Sequence, residues 1–124
     1  MDNYVNKCLF DMLNSIDEIN GYFANNRTYE FYSSNRIVQR AVERNLEIIG
    51  EAMNRILKID KSMPILNAKE IIDTRNKISH GYDQVNHAII WGIVIKHLPV
   101  LKSEIEKYIP DRNEAIPKKE QLNL

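Results

Sequence analysis

The ten residues Asp73-Thr74-Arg75-Asn76-Lys77-Ile78-Ser79-His80-Gly81-Tyr82 bring together side chains that can act on a phosphodiester. Arginine is a permanent cation whose planar fork of donors matches phosphate. Histidine titrates near neutral pH and can give or take a proton. Asparagine adds an amide, and tyrosine a phenol. On a helix, Asn76 and His80 stand four residues apart and share a face. Ile71, Ile72 and Ile78 mark the buried side of that helix, and Arg75 lies three or four residues from each. A cation set into an apolar stripe is costly unless it is paired or faces a cleft. Two readings follow. In the structural one, Arg75 pairs with Glu43 or Glu47 of the preceding helix, and His80 complements the helix dipole. In the functional one, Arg75, Asn76, His80 and Tyr82 converge at one helix terminus.

The elements that position this stretch read as helices. Val5, Leu9, Met12, Ile16, Ile19 and Phe23 recur at steps of three and four, which predicts a helix over about 2–23. Asp11, Asp17 and Glu18 face away from that stripe, Cys8 lies beside it as a buried thiol, and Asp2 or Asn3 can cap the start. Tyr29, Phe31 and Tyr32 read as a short turn that packs aromatics. A second helix is predicted over about 34–58. Val38, Ala41, Val42, Ile49, Ala52, Met53 and Ile56 form its main stripe, widened by Ile37, Ile48 and Leu57. Glu43, Glu47 and Glu51 form a carboxylate row that reads as a solvated face or as partners for Arg75 or Lys77.

The motif helix is predicted over about 67–80, with Asn67 as N-cap, Glu70 at the capping-box position and Gly81 as a left-handed C-cap. A last helix starts near Asp83 or Asn86 and reaches about 109. Its middle, 88–95, is apolar nearly all round and reads as the central buried helix. Pro99 should kink or divide it. Residues 110–124 are polar, hold two prolines and read as a tail. The expected architecture is an all-α antiparallel bundle of four to five helices over residues 1–109.

Composition narrows the function. A chain of 124 residues suits one domain. With 17 basic and 17 acidic side chains, its formal net charge of +0 gives no whole-molecule attraction to nucleic acid or membrane. Any RNA site must be a local patch. Residues 1–32 carry two basic and five acidic groups, whereas residues 33–82 carry nine and six, so the positive bias falls on the motif and the helix before it. One cysteine excludes an internal disulfide or a cysteine-cluster zinc site. There is no His-Glu-x-x-His and no Asp-rich loop for a catalytic metal, and no Gly-rich loop for a nucleoside triphosphate, so no cofactor is expected. No apolar run approaches the roughly 20 residues of a membrane span. The N-terminus lacks a signal-peptide pattern, and a cytoplasmic protein is expected. His87, near a helix start, reads as solvent-facing, and it and His97 read as structural. Trp91 and the Tyr29–Tyr32 cluster read as core or dimer contacts.

The spacing Arg75-x4-His80-x-Tyr82 resembles the Arg-x4–6-His-x-Tyr signature of HEPN domains. The wider run from Arg75 to Tyr82, preceded by Ala41-Val42-Glu43-Arg44-Asn45-Leu46-Glu47-Ile48-Ile49-Gly50-Glu51-Ala52, resembles the HepT branch of that superfamily. The apolar helix with Trp91 and the later Leu98-Pro99 fit as well. The resemblance covers nearly all the chain except its last dozen or so residues. It implies a small all-α homodimer encoded beside a minimal nucleotidyltransferase. It also implies a ribonuclease toxin whose paired nucleotidyltransferase is the antitoxin and adenylylates the signature tyrosine, here Tyr82.

On that reading the chain is a metal-independent endoribonuclease. The RNA 2′-hydroxyl attacks phosphorus, His80 is the general base or acid, and Arg75 holds the scissile phosphate. Asn76 orients His80 or the phosphate, and Tyr82 positions RNA. Lys77, with Glu43 and Glu47, is a further candidate for pairing or RNA contact. Each motif supplies one histidine, so a two-fold dimer would supply the second proton-transfer group. The alternative is a non-catalytic helical dimer that binds the partner nucleotidyltransferase or a nucleotide.

Overall fold

The computed structural model describes residues 3–81 and 86–109. The helices are α1 (Asn3–Tyr22), α2 (Tyr29–Ser34), α3 (Arg36–Ile59), α4 (Ala68–His80), α5 (His87–Gly92) and α6 (Leu98–Tyr108). A π-helical turn (Ile93–His97) joins the last two. Backbone dihedrals stay helical at Gly92, Ile93, His97 and Leu98, so α5, the turn and α6 form one rod. No strand occurs among the described residues, and none of their helices is long and apolar enough to cross a membrane. The expected tail and Tyr82 lie outside the described residues.

Helix α3 is the centre of the assembly, packed between α1 and α4. Its neighbours run antiparallel to it. Tyr22, near the end of α1, meets Asn45, while Gly50 and Glu47 of α3 meet Arg75 and Ser79 of α4 in reverse order. The expected α1 stripe is buried throughout. It meets Val42, Leu46, Ile49, Met53 and Ile56 of α3, and Val94, Leu98, Leu101 and Ile105 of the rod, in one core. Burying side chains of this size drives the assembly, at about 1.5–3 kcal/mol each relative to exposure. Cys8 belongs to that core, and burial pushes its thiol pKa up, away from the reactive thiolate.

Several expectations change. The Tyr29–Tyr32 segment is a helix of its own, started by Thr28, whose hydroxyl accepts from the Phe31 N–H at 3.1 Å. Six residues are too few for periodicity to show it. The α3 helix begins after the Asn35 cap, and Ile37 is 83% exposed instead of widening the stripe. Asn67 precedes α4 without a side-chain cap bond. Gly81 ends α4 with φ −171°, extended and not left-handed; its N–H donates to the Lys77 carbonyl at 3.1 Å.

The segment 88–95 is not buried all round. Ile89 is 57% exposed, because α4 covers the rod incompletely there and an open groove of about 320 Å³ lies between them. Ahead of Pro99 the α-helical pattern is divided by the π turn, while the backbone stays helical through it. The Leu98 N–H reaches back five residues to Ile93, and this widened turn sits directly ahead of the residue that lacks an N–H.

Candidate active site at the end of α4

Helix α4 contributes one fully buried side chain, Ile71, with Ile72 and Ile78 partly covered. Arg75 stands half-buried among them, as the spacing anticipates. Its guanidinium does not meet a carboxylate of the described residues. Arg75 Nη1 donates to Asn76 Oδ1 at 2.7 Å. A neutral amide thus orients the cation without neutralising it, and the remaining N–H groups suit a bidentate phosphate contact. Asn76 is placed on Arg75, not on His80. His80 is the last residue of α4, exposed, and its imidazole makes no hydrogen bond to another described residue. Arg75, Asn76 and His80 are therefore on one short segment at the helix end.

The proposed carboxylate partners are engaged elsewhere. Glu43 is buried and takes Arg40 Nη1 at 3.0 and 3.3 Å. Glu47 accepts from the Ser79 hydroxyl at 2.8 Å, which clasps the motif end of α4 to α3. Lys77 faces the opposite side of α4. With Asp73 and Thr74 it borders the groove whose far wall holds Ile89, Gly92 and Ile93, so it pairs with neither Glu43 nor Glu47. The carboxylate row is thus not a uniform solvated face. Its first member is a buried anion.

That anion makes a test of the packing. Arg40→Ala strands the Glu43 carboxylate without a partner among the described residues. Arg40 is half in solvent, so the cost is below that of a fully buried pair, about 1–3 kcal/mol. Thermal denaturation should show a Tm lower by several degrees, and adding Glu43→Gln should recover part of it. An unchanged Tm in Arg40→Ala would remove the pair from the account.

His87 is the residue sequence reasoning misplaced. It starts α5 but is half-buried, with Nδ1 3.3 Å from the Tyr32 hydroxyl. Burial, and then the Glu43 carboxylate, raise the Tyr32 pKa, so this phenol stays protonated and can donate to the imidazole. Tyr32 also stacks on Trp91 at 5.7 Å, and Phe23 meets Trp91 edge-on at 5.1 Å. Tyr32 and Phe23 are core and Trp91 packs against it, whereas Tyr29 is 39% exposed. The cluster fixes the start of α5. His97 lines the groove and has a buried Nδ1 without a hydrogen-bond partner among the described residues.

The all-helical architecture of the described residues is consistent with a HEPN-like bundle. Residues 12–108 match the family model described as Ribonuclease HepT-like. The chain belongs to the HepT-like ribonuclease family. It is 36% identical over 104 residues to "Putative RNase MJ1216" of Methanocaldococcus jannaschii, covering 83% of this chain and 85% of that one. A second protein of that organism, "Putative RNase MJ0125", is 36% identical over 107 residues, 86% of this chain and 91% of the relative. "Probable ribonuclease HepT" of Thermococcus cleftensis is 35% identical over 80 residues, 64% of this chain and 73% of its own. No solved structure gives a significant match.

Proposed function

We propose that this chain is a metal-independent endoribonuclease and the toxin of a toxin–antitoxin pair. The observation that carries the reading is Arg75: a half-buried guanidinium held by an amide instead of a carboxylate, on the same helix end as His80. A purely structural arginine in an apolar stripe would be expected to find an acid. Here the two candidate acids, Glu43 and Glu47, bind other partners.

The reaction is an in-line displacement. The RNA 2′-oxygen forms a bond to the adjacent phosphorus as its proton passes to a base. The bond to the 5′-oxygen breaks as that oxygen takes a proton from an acid. A cyclic phosphate and a 5′-hydroxyl result. Histidine is the side-chain type suited to give or take a proton near neutral pH, and His80 can serve in either transfer. Arg75 holds the non-bridging oxygens and stabilises the charge that builds on them. Asn76 keeps the guanidinium in place. A homodimer with two motifs near its axis supplies His80 twice, one as base and one as acid. The cognate partner is a minimal nucleotidyltransferase that switches the site off by adenylylating Tyr82.

The test is cleavage of labelled RNA by the full chain, expressed without the partner and assayed in EDTA. Wild type should cleave and leave cyclic phosphate ends, while His80→Ala should lose about 10²–10⁴-fold in rate. Cleavage that needs a divalent cation would overturn metal independence. Intact RNA with an unmodified protein mass would leave the alternative, a non-catalytic dimer that binds the nucleotidyltransferase or a nucleotide.

A further inference from the structure

We propose that Gly50 is a positioning residue of this site, setting the place of Arg75 through the closest approach of α3 and α4. The inference rests on the reading of Arg75 as the phosphate-holding group. A Cβ added at Gly50 would overlap Arg75 Cβ, and would stand 2.9 Å from Arg75 Cγ and 3.1 Å from the Ile71 carbonyl oxygen. These atoms are the root of the arginine side chain and the backbone one turn before it. No rotamer change moves Arg75 Cβ or the Ile71 carbonyl oxygen, so a side chain at 50 must displace α4 itself.

Three observations separate this glycine from an incidental one. No described glycine has a positive φ, so Gly50 is present for space and not for backbone freedom. Glycine is among the poorest helix formers, yet it sits inside a 24-residue helix. At Gly21 and Gly92, by contrast, an added Cβ meets nothing within 4 Å. Among the longer described helices, α4 buries the fewest side chains, Ile71 alone, with Ala68, Ile72 and Ile78 partly covered. A push at position 50 is therefore relieved by moving α4, and the rest of the core stays assembled. The Glu47–Ser79 hydrogen bond lies one turn along the same contact, so the displacement reaches the residue beside His80.

The experiment compares Gly50→Ala with Gly92→Ala in the full chain. Cleavage of an RNA oligonucleotide gives kcat and KM, and the 15N–1H signal of the Arg75 Nε–H reports the guanidinium directly. Gly50→Ala should lower kcat by about 10–100-fold with KM changed less than about 3-fold, as a misplacement on the order of 1 Å does. The Arg75 Nε–H signal should move. Gly92→Ala should change neither. Wild-type kinetics in Gly50→Ala, equal losses in both variants, or an unmoved Nε–H signal would overturn the proposal. If Gly50→Ala fails to fold, the double variant Gly50→Ala/Arg75→Gly removes the opposing Cβ and Cγ. Recovery of folding there supports the contact, and failure of both overturns it. If wild type does not cleave RNA, the ribonuclease reading fails, and the Nε–H signal still decides whether Gly50 sets Arg75.

Discussion

Arg75→Ala should lower the rate of RNA cleavage by about 10³-fold, near the upper end of what removing one pre-set donor to a developing oxyanion costs. The cation is half-buried and unneutralised by any carboxylate of the described residues, so its field on a bound phosphate is little screened. Arg75→Lys keeps the charge but loses the fork. A lysine cannot donate to Asn76 and to two phosphate oxygens in the fixed plane that the guanidinium offers. It should therefore recover only part of the rate, staying about 10-fold or more below wild type. Rate and affinity should separate. The pentacoordinate transition state carries more charge on the phosphoryl oxygens than the ground state, so RNA binding should weaken less than cleavage does. Binding is measured in the His80→Ala background, where RNA stays intact, and single-turnover kinetics give the rate. Arg75→Ala that cleaves as fast as wild type would move the site away from this residue. Equal losses in affinity and rate would make Arg75 a docking residue only.

The fold was legible wherever periodicity ran long enough. The α1 stripe from Val5 to Phe23 and the α3 stripe from Val38 to Ile56 repeat over several turns; every residue of the α1 stripe is buried, and that of α3 is buried from Val42 on. What stayed hidden is local or pairwise. Thr28 starts a six-residue helix by one side-chain bond, a signal too short for a hydrophobic period. Gly50 reads in sequence as a defect in a helix, and only the crossing of α3 over α4 shows the room it leaves. Ile89 reads as core because its neighbours are apolar, yet it borders a groove. For the site, residue types and spacing single out Arg75, Asn76 and His80 as candidates. They could not say which acid pairs with which base. Glu43 is nearer in sequence to Arg40 than to any residue of α4, and the i,i+3 geometry within α3 wins over the pairing expected between helices.

Tyr82→Phe should remain toxic in the presence of the partner nucleotidyltransferase, under conditions where wild type is fully neutralised. The chemistry explains the size of the effect. The phenolic oxygen attacks the α-phosphorus of a nucleoside triphosphate, pyrophosphate leaves, and the phenol gives up its proton. The product is a phosphodiester that carries one negative charge and a purine. It is tethered two residues beyond His80, across Gly81, whose backbone leaves α4 extended. A tethered phosphodiester competes for the same cation as the scissile phosphate, at an effective concentration that dilute RNA cannot match. Phenylalanine keeps the ring for RNA contact but offers no oxygen to modify, so cleavage itself should fall by no more than a few-fold, on the order of one lost neutral hydrogen bond. Co-expression with growth as the readout gives the first arm, and intact mass after incubation with the partner and ATP gives the second. Wild type should gain adenylyl mass and lose cleavage together, while Tyr82→Phe should do neither. If the partner neutralises Tyr82→Phe as completely as wild type, with equal affinity, then binding silences the site and modification does not. In that case Arg75 is blocked by a protein surface instead of by a phosphate carried on its own chain.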